Sequence, residues 1–238
     1  AGSGADGLLV SLQLPRGVGL HSVVLGGTEV VTVADGVAIT ASTPDGALAV
    51  TSVGTGETNL GVETRIAGDV TSVGPVKLRD RAVVEGDVTT AAGFRQDSVW
   101  TVEGAVTEAA DLTPFTAYSW TVAFPPTGES RLAGPQQTVT LAPGAYANLD
   151  VHPGGVLELS AGTYTMSALR AESGSTVRLD FTGGPIFLYV RDTFTFRGRL
   201  EGADAAELFV GYLGAGTADI DAPFQGTVVA PNAHLRLS

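Results

Sequence analysis

The sequence predicts an all-β fold: a parallel β-helix (β-solenoid) of about 18 residues per triangular coil, with a lateral loop around residues 114–135. Three observations predict it. First, Ile66-Ala-Gly-Asp-Val-Thr71 recurs as Val84-Glu-Gly-Asp-Val-Thr89 and as Val102-Glu-Gly-Ala-Val-Thr107, with the same interval of eighteen between starts both times. Second, the local apolar period is two, as in Val139 and Leu141, Leu157 and Leu159, Leu188 and Val190, which is the period of strands. Third, 29 valines and 27 threonines favour strands, while 32 glycines and 12 prolines interrupt helices. Helical solenoids repeat at roughly 33 to 47 residues, so the short period excludes them. Three strands of about six residues close one lap, and each coil pairs with the next at about 4.8 Å. If all 238 residues coiled, about 13 turns would result.

Taken in order, residues 1–60 read as an N-terminal cap and first coils. Val23-Val-Leu, Val30-Val-Thr-Val, Val37-Ala-Ile and Leu48-Ala-Val are separated there by turns at Gly26-Gly27, Asp35-Gly36 and Asp45-Gly46. Residues 61–116 hold coils of the first type, in which Ile66, Val84 and Val102 are expected to stack as one inward column, with Gly68, Gly86 and Gly104 at corners. Residues 117–137 form a Pro- and aromatic-rich excursion folded against the solenoid. Coils of a second type fill 138–238, marked by Leu141-Ala-Pro-Gly-Ala-Tyr146 and, at the same interval, Leu159-Ser-Ala-Gly-Thr-Tyr164. A looser copy from Leu179 carries about two extra residues. One continuous solenoid is the expected organisation. The last residues alternate at Ala233, Leu235 and Leu237, so the sequence finishes on a strand whose edge is expected to be open for self-association, or covered by something else.

The net charge is −12, and Lys77 is the one lysine among 13 basic residues. Phosphate backbones and anionic membrane surfaces are repelled, so neither nucleic acid nor membrane insertion is expected. With no cysteine, disulfides, thiolate nucleophiles and Cys-based metal sites are excluded. A Thr- and Gly-rich, cysteine-free chain with a small-residue start suits an exported bacterial protein, secreted or at the cell surface, with its signal peptide removed.

The Gly-Asp-Val-Thr coils at 68–71 and 86–89 resemble bactofilins, the polymer-forming bacterial β-helix proteins, over about a quarter of the chain. The chain also resembles exported bacterial β-helix surface proteins over most of its length. That likeness lies in Leu141-Ala-Pro-Gly-Ala-Tyr, Ile186-Phe-Leu-Tyr-Val-Arg-Asp-Thr-Phe-Thr-Phe-Arg-Gly198, Gly211-Tyr-Leu-Gly214 and Phe224-Gln-Gly-Thr-Val-Val-Ala-Pro-Asn232. The resemblance implies a surface or matrix protein without established chemistry.

The residues themselves offer little catalysis. Glycosidases need two carboxylates about 5 to 9.5 Å apart; Asp219 with Asp221, and the stacked Asp69 with Asp87, are the candidates, and an Asp after Gly is also an ordinary turn residue. His21, His152 and His234 are scattered, no Gly-x-Ser-x-Gly elbow exists, and no metal or cofactor is expected. Arg191, Arg197 and Arg199 near Asp192 and Glu201 read as cross-strand ion pairs. The Thr71, Thr89, Thr107 column admits ice binding or plain sheet stabilisation. The expected function is therefore non-catalytic and structural: an extracellular solenoid that associates with itself through open ends into a filament, sheath or matrix. The alternative is a glycan-binding or adhesin module contacting extracellular polysaccharide, with Trp100, Tyr118, Trp120 and Phe124 as stacking rings. A carbohydrate-active enzyme and an ice-binding protein are further readings.

Overall fold

The computed structural model describes residues 6–15, 23–26, 30–40, 49–52, 54–112, 114–124, 128–202 and 207–238; the side chains of 6–15, 23–26, 49 and 114–121 lie outside the description. The described residues form strands and turns with no helix, and parallel strands stack as a β-solenoid of about nine turns. The shortfall from the expected number has two sources. Some segments leave the coil, and coils grow longer away from the regular repeats.

The chain forms two compact units. The first comprises Leu12–Tyr118 with Val229–Ser238, the second Ser119–Val228 with the N-terminal residues up to Ser11. In the first unit Val84 stands opposite both Ile66 and Val102, the expected one-coil step. Val88 likewise lies between Val70 and Val106. Ile66, Val70, Val84 and Val88 of these columns pack with Val31, Val33, Val50, Leu60, Val76 and Leu78 into a fully buried aliphatic core. Thr51, Thr71, Thr89 and Thr107 are in register across four coils, Thr51 itself being fully buried.

The Gly-Asp pair of the repeat is a staple between coils. Asp69 Oδ1 accepts the backbone N–H of Asp87 at 2.8 Å, and Asp87 Oδ1 accepts that of Ala105 at 2.8 Å. Each carboxylate thereby occupies the space a Cβ would need at Gly86 or Gly104 of the following coil. The motif is glycine because the preceding coil's aspartate and stacked backbone together fill its side-chain site.

The second unit steps from Val139 to Leu157, then to Val177 and then to Leu200, so each coil is longer than the one before it. Its core columns include Leu149, Leu169, Phe194 and Ala218, and Val151, Ala171, Phe196 and Ile220. The tyrosine of each Leu-x-x-Gly-x-Tyr turn folds back on its own turn. Tyr146 donates to the Ala142 carbonyl at 2.6 Å. The Tyr164 hydroxyl, fully buried, takes the Ser160 N–H and lies 3.0 Å from the Ser160 carbonyl. On the outer surface Arg178 links Glu158 to Glu201 across three coils, and Thr140 donates to Glu158. The Thr140 hydroxyl first, and then Arg178, hold the Glu158 carboxyl below its ordinary pKa. This ladder favours folding above the ordinary carboxylate range and fades as pH falls through the lowered value.

The excursion around 114–135 contains structure of its own. Pro114–Phe124 is a strand, and Glu129–Ala133 is already a coil strand paired with Gly144–Val151. Val122 and Phe124 pack against Leu213 and Tyr189 on the outside of the second unit.

Two expected site elements are corrected here. The C-terminal strand His234–Leu237 is not an open edge on the side expected to recruit partners. It pairs in parallel with Val31–Val33, placing Leu235 opposite Val31 and Leu237 opposite Val33. Ala233 and Leu235 are fully buried, and Leu237 packs on the first unit's core. The alternating pattern serves this intramolecular ladder. Phe124 is no stacking platform either, because its ring is 4% exposed and the Arg191 guanidinium sits 5.8 Å from its centroid.

Candidate functional site

In a solenoid every interior coil spends its backbone hydrogen-bonding groups on neighbours above and below, and only a terminal coil keeps a free edge. The first unit ends on the coil formed by Phe94–Gln96, Trp100–Val102 and Val106–Thr107. Among the described residues these strands pair only with Val76–Leu78, Ala82–Val84 and Val88–Thr90 of the preceding coil. The second unit begins on a matching coil, Glu129–Ala133 and Thr138–Leu141, whose strands pair, among the described residues, only with those that follow.

Both terminal coils change the chemistry of the core columns they finish. In the first unit, Phe94 continues a column that carries Val31, Thr58 and Val76. Gln96 ends the column of Val33, Leu60 and Leu78, and Trp100 follows Ala82. Phe94 and Trp100 meet edge to face at 5.4 Å, so together they plug the apolar shaft. Trp100 is therefore committed to the core's end and half-buried, rather than standing clear as a sugar platform. The side chains of Tyr118 and Trp120, the other two proposed stacking rings, lie outside the described ones.

The aspartate staple also stops here. Asp69 and Asp87 are followed by Ala105, which offers no acceptor to a further coil. The N–H of Val76 reaches forward to the carbonyl of Gly93, but that of Phe94 has no such coil ahead and is taken at 2.8 Å by the Glu108 carboxylate. These breaks in the repeat were readable: the third copy lacks the aspartate and replaces small inward residues by aromatics. They mark the last coil, which periodicity alone treats as one more copy.

In the second unit, Glu129 heads the column of Tyr146 and Arg131 that of Leu149, and the two are ion-paired at 2.6 Å over the shaft mouth. A cavity of about 550 Å³ opens there, lined by Ser130, Arg131, Leu132, Val139, Thr140 and Tyr146 among others. Burial pushes the Tyr146 phenol up in pKa and Tyr164 adds to the rise, while Arg131 opposes it.

The distribution of exposed apolar surface singles out the same two coils. Among the described residues the exposed large hydrophobic side chains are Val99, Val106 and Leu132, at 56%, 37% and 53% exposure. All three lie on terminal coils.

The acidic pairs are engaged structurally. Arg197 bonds Asp219 at 2.8 Å and lies 3.8 Å from Asp221, and the Asp219 bond raises the Arg197 pKa. Asp69 and Asp87 hold backbone amides, as above. Arg191 pairs with Asp192 and Arg199 with Glu201. Among the described residues no three His, Asp or Glu side chains come together as a metal site. Compared with protein-family models, curated proteins and solved structures, the chain finds no match.

Proposed function

We propose that this chain is a non-catalytic structural β-solenoid of the bacterial exterior, which joins to further copies of itself through its terminal coils. The observation that carries the reading is the confinement of exposed Val99, Val106 and Leu132 to those coils, beside strand edges paired on one side only among the described residues. Scattered apolar exposure is ordinary on a soluble protein, whereas exposure concentrated at a free strand edge is the pattern of an association surface. The engagement of Asp69, Asp87, Asp219 and Asp221 in internal bonds supports a role without catalysis. The extracellular setting rests on the cysteine-free, acidic composition and on the sequence likeness to exported solenoids. Sedimentation velocity tests the association. The weight-average sedimentation coefficient is expected to rise over about a hundredfold range of concentration, as mass action requires. The Val99→Lys, Val106→Lys double variant is expected to stay flat, because it places two ammonium groups on the apolar edge. A wild-type chain that sediments as monomer throughout contradicts the reading.

A further inference from the structure

We infer that association is head to tail: the last coil of the first unit of one copy receives the first coil of the second unit of another. The inference rests on the self-association proposed above and names its two surfaces.

A run of coils winds in one direction, so its two ends are different. The coil Phe94–Thr107 closes a run: among the described residues its strand partners all lie earlier in the chain. The coil Glu129–Leu141 opens a run: among the described residues its strand partners all lie later in the chain. Three pairings between copies are conceivable. Closing edge on closing edge, or opening edge on opening edge, sets strands antiparallel, whereas the solenoid ladders of both units are parallel among the described residues. Closing edge on opening edge continues the same winding in parallel. The coil step matches as well, since Val84 to Val102 on one side and Val139 to Leu157 on the other are equal intervals of sequence.

Side-chain chemistry selects the same pairing. Self-pairing of closing coils brings two acidic edges together, since Asp97, Glu103 and Glu108 outnumber Arg95 there, whereas the opening coil carries one charge of each sign in Glu129 and Arg131. Like charges placed across strands are destabilising. Head to tail, the net-acidic closing coil meets instead the opening coil, on which Arg131 balances Glu129. Trp100 and Val102, inward and half-buried, come over Val139 and Leu141 beside the 550 Å³ mouth. Glu108 on the Phe94 amide and Glu129 on Arg131 are then interim partners that a second copy displaces.

The chain contains no cysteine, so single cysteines report the contact directly. Thr101, Thr138 and Thr140 are exposed and outward on the two edges. Strands adjacent at about 4.8 Å bring facing residues within the Cα separation a disulfide accepts. Mildly oxidised, a mixture of Thr101→Cys with Thr138→Cys or Thr140→Cys chains is expected to form the mixed dimer. It should exceed either self-linked dimer by about tenfold, through the raised effective concentration of a formed contact. Thr101→Cys chains that link to themselves as readily overturn the head-to-tail inference and leave self-association standing. Concentration-dependent sedimentation without any mixed disulfide also overturns it, placing the contact elsewhere. Monomers at every concentration remove both the inference and the reading beneath it.

Discussion

Gly86→Ala is expected to destabilise the first unit by about 3–4 kcal/mol, the sum of an overpacking cost and a lost hydrogen bond between coils. The added methyl would fall on Asp69 Oδ1 and within 2.6 Å of the Gly68 carbonyl carbon. Displacing the carboxylate frees the Asp87 N–H, which it accepts at 2.8 Å. The backbone contact is the decisive part, because Gly68 cannot withdraw without spreading the spacing of two coils. Asp69→Ala alone should therefore cost about 1 kcal/mol, and adding it to Gly86→Ala should not restore stability. Denaturant unfolding of the three variants measures this. Recovery in the double variant would place the clash in the aspartate side chain rather than in the stacked backbone.

Phe194→Ala is expected to cost the second unit about 3–5 kcal/mol, the range for deleting a fully buried ring. Phe194 is 1% exposed and stands in the column between Leu169 and Ala218, with Tyr212 tilted against it at 6.4 Å. A column of stacked coils is held at fixed spacing by its backbone ladders, so its neighbours cannot close inward to fill the void. Phe194→Leu, which leaves a smaller void, should lose less than half as much. Thermal unfolding followed by the second unit's signals compares the pair, and equal losses would show that the shaft relaxes freely.

Much of the architecture was legible because a solenoid repeats a local pattern: the recurring Gly-Asp-Val-Thr string reveals the coil step that sets Ile66, Val84 and Val102 in one column. The alternation of Leu235 and Leu237 correctly indicated a strand. Its partner, Val31–Val33, lies near the opposite end of the sequence, a pairing that no local pattern encodes. Asp69 and Asp87 read as turn residues because a reach from one coil to the next is local in space and distant in sequence. The places of Trp100 and Phe124 were hidden for a related reason. A ring's identity reports its size, and only the fold decides whether it plugs a shaft, as Trp100 does, or packs beneath Arg191, as Phe124 does. The pattern Ala233, Leu235, Leu237 points to an edge at the last strand, whereas among the described residues the strands paired on one side only are those where each run of coils stops.

Hydrogen exchange measured at low and high protein concentration tests that placement most directly. Amides of residues 94–107 and 129–141 should gain protection as concentration rises, while those of Val70, Val84 and Val88 inside the shaft stay unchanged. Protection that rises elsewhere and leaves both terminal coils exchanging as freely as in dilute solution would contradict the account.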